Sequence, residues 1–466
     1  MTSPFLSIAK HRVTDANPPR NGAEMDWERC ATLHNSISIY GWVRSGRQIV
    51  DMDRRPWWTK HGSPVLERYL RPSLVRFLKK VFDLPKCNFF YYVSGLAGPK
   101  QMAGFGDLLA DEEHEHKPQE RNRFITLYLT SKDLVTKPNG IIYDQATHKA
   151  IFMPTLHHIF NLNDPALPWQ RLESILSTYI DMIESGKAVA LHQSVGKSLE
   201  MDPYSGVRRS KYNTDPWALV PYTHGDLTNC LSIWQKLFSA IEKRAGIAPE
   251  DEDDHNITPL CGRSALNAAS IARGFAYDLL SYARQPGIWF VAPGVRLPTT
   301  SEFINQPFKN IAQQFPKETE AVTMPILFFR CEGYVTSKEA KFRYPFSTVE
   351  KVPCGLYLDA YPNKENPFQD ACRLVLPFPL GANKCARTSD GHRILRSNVD
   401  LYGHGINPQI MRHGPKLFAI LENWLKNVES GYWSVDAQGV AGGVDVWKQA
   451  DTEENWSKYT VNAKTV

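Results

Sequence analysis

A chain of 466 residues with 42% hydrophobic, 11% aromatic and 22% charged content carries enough apolar side chains for a large core, which excludes a disordered or collagen-like polypeptide. A net charge of +5 does not announce a nucleic-acid binder, so any such role must rest on local clustering of cations. No apolar run is long enough for a bilayer span, and the opening "MTSPFLSIAKHRVTDANPPRNGAE" has no sustained apolar stretch ending in a cleavage site, so neither a membrane partner nor secretion is expected. The 8 cysteines lie far apart without a CxxC pair. That spacing reads as reduced thiols, with no metal site and a cytoplasmic location.

In chain order, residues 1–24 read as a flexible arm rich in Pro, Asn and Arg. "SPVLERYL" and "PSLVRFLKKVF" are two short helices, with Pro72 suited to the first turn of the second. "CNFFYYVSGLAGPKQ" reads as a buried strand halted by Ser-Gly and Gly-Pro. "RFITLYLTS" is a second strand, "NGIIYDQATHKAIFMP" a hairpin, and "LPWQRLESILSTYIDMIESG" a helix ended by Gly186. The strand "KAVALHQ" follows, and after a loop "WALVPYTHGD" leads into the helix "LTNCLSIWQKLFSAIEKRAG". "PEDEDDHN" is a solvated acidic loop. Beyond it come helical "SALNAASIARGFAYDLLSYAR", strand-like "GIWFVAP", and buried strands in "MPILFFRCEGYV" and "CGLYLDAY". The last stretch is mostly helical, with "PKLFAILENWLKNVES" its clearest amphipathic element. Strands and helices alternating in this way predict an α/β fold with a largely parallel sheet. The expected organisation is the arm, one α/β catalytic domain over 25–400, and a helical extension over 401–466 packed on it.

In parallel α/β sheets the ligand crevice lies beyond the carboxyl ends of the strands, which draws attention to Ser94 after "FFYYV". With a base nearby it could act as a nucleophile, with amides of Gly95 to Gly98 receiving an oxyanion; as a turn serine it would simply cap the next helix. Tyr92 and His224 are two candidate bases that the sequence does not rank. Asp111, Glu112 and Glu115 bring three carboxylates together, able to hold a guanidinium, bind Mg²⁺, or stay solvated beside Lys117, Arg121 and Arg123. Two basic patches stand out. Arg76, Lys79 and Lys80 share one helical face, and Arg208, Arg209 and Lys211 lie between Tyr204 and Tyr212. Either suits a phosphate backbone or a solubilising surface. Neither a phosphate-binding loop nor a dinucleotide fingerprint is present, so no cofactor is expected.

"VSGLAG", the following "DEEHE" and the closing "GGVDVWKQADTEENWSKYTV" together resemble the arginine-containing cyclodipeptide synthases of fungal biosynthetic clusters. That family is similar to bacterial cyclodipeptide synthases, which take aminoacyl groups from charged tRNAs and join them as diketopiperazines on a Rossmann-like fold. The resemblance implies that fold here, arginyl-tRNA and a second aminoacyl-tRNA as partners, and a product cyclo(Arg-Xaa) of secondary metabolism. It places the family's acidic DDxxE motif on Asp111, Glu112 and Glu115, with Glu112 standing where a second Asp is expected. Ser94 would then be the nucleophile, Tyr92, Gly95, Gly98 and His224 would face substrate, and the two basic patches would hold tRNA. Two other functions suit the same residues: a Mg²⁺-dependent prenyl-diphosphate lyase or cyclase using the acids as metal ligands, and a non-catalytic RNA-binding protein.

Overall fold

The computed structural model describes residues 4–85, 87–102, 123–131, 138–155, 162–163, 167–193, 213–247, 258–312, 324–338, 340, 342, 344–358, 367–389, 391–403 and 414–461. The chain forms two compact units: Met1–Val220 supplies one, and Pro221–Gly405 with Arg412–Val466 supplies the other.

In the first unit, α1 (Trp27–Arg44) is capped by the Asp26 side chain, which accepts from the Arg29 N–H. This helix is not legible in the sequence. Its buried face mixes Cys30, Leu33 and Ile37 with Arg29, His34 and Ser38, so the apolar stripe that signals a helix is broken by polar residues satisfied only in the fold. Arg29 donates to the carbonyls of His11, Arg12, Asn17 and Pro18, tying the segment before the helix to it. Three short helices follow: α2 (Trp57–His61), α3 (Pro64–Tyr69) and α4 (Pro72–Leu78). As expected, Pro72 opens the last, burying Leu74, Phe77 and Leu78 and leaving Arg76, Lys79 and Lys80 exposed.

Strands β1 (Val93–Leu96), β2 (Phe124–Thr130), β3 (Pro138–Asp144) and β4 (Lys149–Thr155) form an antiparallel meander in that order. The expected hairpin is β3–β4, turned by Asp144, whose carboxylate accepts from the Ala146 N–H and the Thr147 hydroxyl. Helix α5 (Leu172–Glu184) ends at Gly186, which has φ of 76°. A second small sheet joins β5 (Ala188–Ala190), β7 (Trp217–Leu219) and β6 (Asn213–Thr214), also antiparallel.

The second unit opens with α6 (His224–Ala245), started by a reciprocal Thr223–Asp226 capping box and closed by Gly246 at φ of 73°. The run read as one helix breaks into α7 (Arg263–Ala268) and α8 (Phe275–Tyr282), separated by Ser270 and Gly274 at positive φ. Next come β8 (Phe290–Ala292), β9 (Val295–Arg296), α9 (Thr300–Ile304), α10 (Lys309–Ala312), β10 (Ile326–Thr336), β11 (Lys351–Leu358) and β12 (Cys372–Val375). Helix α11 (Leu417–Glu429) packs on α6, and the hairpin β13 (Val435–Asp436)–β14 (Gly439–Val440) follows it. The sheet order is β12-β11-β10-β9-β8-β14-β13. Its core includes Trp234, Leu237, Phe238 and Ile241 of α6 and Ile420, Leu421 and Trp424 of α11. Each fully buried side chain of this kind contributes about 1.5–3 kcal/mol of transfer free energy.

The mixed α/β content is as expected, but the largely parallel, Rossmann-like sheet is not what the described residues form. Among their strand pairs, only β14 with β8 is parallel. A parallel pair needs a crossover that returns to the same sheet. Here α5 leaves the four-stranded meander and delivers the chain to β5 in a different sheet, so helix–strand alternation does not wind one sheet. Among the described residues, the C-terminal stretch adds the β13–β14 hairpin and 3-10 turns over Val444–Asp451 and Trp456–Tyr459 to a single α-helix.

Candidate functional site

The aromatic run before Ser94 does not extend as a strand. Phe90 and Val93 bridge each other, so Tyr91 and Tyr92 make a tight turn and the strand begins only at Val93. The turn sends the rings in different directions: Phe89 stacks on His34 at 4.5 Å, Phe90 on Tyr179 at 4.2 Å, and Tyr92 lies 5.8 Å from Phe152 and meets Tyr91 edge-on at 5.1 Å. A straight strand would place alternate rings on only two faces. Ser94 therefore sits inside β1 rather than beyond its end, and its partly buried hydroxyl donates to the Leu129 carbonyl at 3.3 Å. Among the described residues no imidazole or carboxylate is hydrogen-bonded to it.

The amides after Ser94 are partly engaged. Leu96 N–H donates to Asp83 at 3.3 Å and Ala97 N–H to the Leu127 carbonyl at 3.0 Å. Gly95 leaves room for that Asp83 carboxylate, since a Cβ there would lie 2.6 Å from its Oδ1. Gly98 accepts from the Met102 N–H as residues 99–102 turn helical. Asp83 is the residue that sequence reasoning missed at this strand. Burial pushes its carboxyl above the usual range, against the opposing Leu96 N–H and the charges of Lys60 and His61. Its only signal in the sequence is a lone carboxylate inside the apolar run "KVFDLPKCNFF".

Tyr92 is fully buried. His224 occupies the first turn of α6, exposed, with Thr228 beside it, and belongs to the second unit whereas Ser94 belongs to the first. On α4, Arg76 faces Glu24 at 3.6 Å, and Lys79 pairs with Glu67 at 2.8 Å while lying 5.3 Å over the Trp58 ring. Both are exposed pairs that an incoming phosphate can exchange at little cost. Asp111, Glu112, Glu115, Arg208, Arg209 and Lys211 lie outside the described residues. Among those described, no cluster of three or more metal-ligating side chains occurs, and no helix is long and apolar enough to cross a membrane.

Neither known protein families, nor curated proteins, nor solved structures contain a match to this chain.

Proposed function

We propose that this chain is a cytoplasmic, tRNA-dependent cyclodipeptide synthase that joins arginine from arginyl-tRNA to a second aminoacyl group. The observation that carries the reading is the acidic Asp111, Glu112 and Glu115 set following closely on the Ser94–Gly98 segment. A carboxylate pair matches a planar guanidinium through bidentate, charge-assisted hydrogen bonds, a fit that lysine does not reproduce. Ser94 and the exposed cations of α4 also belong to the same compact unit. The antiparallel sheets lend the reading no support, because the resemblance implied a Rossmann-like arrangement.

In this mechanism the Ser94 hydroxyl attacks the ester carbonyl of the first aminoacyl-tRNA. Its proton passes to a base, and the acyl–oxygen bond to the tRNA breaks. The amine of the second aminoacyl-tRNA then attacks the acyl-serine, releasing the hydroxyl and leaving a dipeptide esterified to tRNA. Attack of that dipeptide's free amine on its own ester closes the ring and frees the second tRNA. The ester supplies the energy, so no nucleotide is consumed. Asp83 joins Tyr92 and His224 as a candidate base, because its carboxyl sits at β1 and burial raises its proton affinity.

The test uses purified protein with arginyl-tRNA carrying labelled arginine and a pool of other charged tRNAs. Label should move from tRNA into a cyclic dipeptide, Ser94→Ala should stop the transfer, and Glu112→Gln should relax the requirement for arginine. Arginine that stays on its tRNA throughout would refute the reading.

A further inference from the structure

We infer that the second unit carries a binding site for an uncharged, ring-bearing small molecule, independent of the reaction proposed above. A pocket of about 630 Å³ opens between the 258–262 loop, α8, α9 and the start of β8. That is the size range of sites for metabolite-sized ligands. Phe303 and Phe328, both almost fully buried, and Leu280 line it from the core, while Trp289 lines it with 42% of its surface exposed. Among the described residues no side chain lining the pocket is ionised, and the Arg296 guanidinium beside Trp289 is already paired with Glu302, so a charged ligand would lose its hydration without a free countercharge from them. Thr300 and Gln285 supply a hydroxyl and a carboxamide, neither hydrogen-bonded through its side chain to another described residue, and these fit the one or two polar groups of such a ligand.

The walls are fixed before any ligand arrives. Leu260 N–H donates to the Ala283 carbonyl at 2.8 Å, Cys261 N–H to Leu280 at 3.0 Å, and Gln285 N–H back to Thr258 at 3.0 Å, so the loop is laced to the end of α8. The Trp289 ring lies under the Arg296 guanidinium at 5.3 Å, which is itself held by two hydrogen bonds to Glu302. A large exposed indole kept in one orientation beside an apolar cavity is a stacking platform that offers contact area at little entropic cost.

The experiment titrates the purified full chain with N-phenyl-1-naphthylamine, an uncharged aromatic probe, reading its fluorescence and energy transfer from tryptophan. Saturable binding to one site per chain is expected. Trp289→Ala, and separately Ala265→Phe at the pocket rim, should each weaken it about tenfold or more with unchanged circular dichroism. The sulfonated analogue, 8-anilinonaphthalene-1-sulfonate, should bind more weakly than the neutral probe. Binding that never saturates, is untouched in Trp289→Ala, or is tighter for the sulfonate would overturn the inference. Because the assay involves no tRNA, its failure leaves the proposed synthase reaction unaffected.

Discussion

At Ser94 the hydroxyl spends its hydrogen bond on the neighbouring strand, so the account asks it to exchange the Leu129 carbonyl for a base when substrate binds. Such a neutral hydrogen bond is worth about 1 kcal/mol, and Ser94→Ala should leave thermal unfolding within a few degrees of the parent while removing turnover. His34 makes a different prediction. Its ring is buried between the Tyr128 hydroxyl at 2.8 Å and the Phe82 carbonyl at 2.9 Å, and burial lowers its pKa to about 4 against an opposing bond to Phe82. The unfolded chain therefore binds the proton first, so this stability is complete above the unfolded value near 6.5 and is lost as pH falls toward 4. The loss is on the order of 3 kcal/mol. Urea unfolding of the parent and His34→Gln between pH 7.5 and 4 should show a steeper decline in the parent, and parallel curves would contradict this.

Among the elements, the 381–386 loop depends on one carboxylate. Asp451 accepts from the N–H groups of Gly381, Asn383, Cys385 and Ala386 at 2.8–3.0 Å. Burial alone would raise its pKa, but the four donors outweigh burial and hold it below the usual carboxylate range. Its contribution is thus present above the unfolded value and lost as pH falls through the folded one. Asp451→Ala should cost about 3 kcal/mol and speed amide exchange at those four positions, with β1–β4 unaffected. Exchange unchanged at 381–386 would show that the loop holds itself. The helices that declared themselves in sequence were those with an apolar stripe and an end signal, such as α5 with Gly186 and α6 with Gly246. Helix α1 lacked the stripe, because Arg29 is buried by carbonyls of the segment just before the helix and His34 by Phe82 and Tyr128 far along the chain.

For the whole molecule, the α/β class was legible because strand-like and helical patterns are local. Strand direction was not, since it depends on which sheet receives a strand after each helix, as β5 shows. The turn at Tyr91 and Tyr92 was hidden for a similar reason: six apolar or aromatic residues in seven positions look alike whether buried as a strand or as a bend among other rings. At the candidate site, the exposure of Arg76, Lys79 and Lys80 was readable from residue type and spacing, whereas Ser94, expected after a strand, lies inside one. Asp83 reaches β1 only through the fold, and the pocket around Trp289 is assembled from segments that are separate in sequence. Two units with separate sheets also allow the proposed synthase reaction and the inferred apolar site to be tested separately.

The most direct measurement is mass spectrometry of extracts from a host expressing this chain alone, beside an Asp111→Ala control of equal solubility. The account predicts an arginine-containing diketopiperazine that disappears in the control. A soluble, folded parent that yields no such product would contradict it.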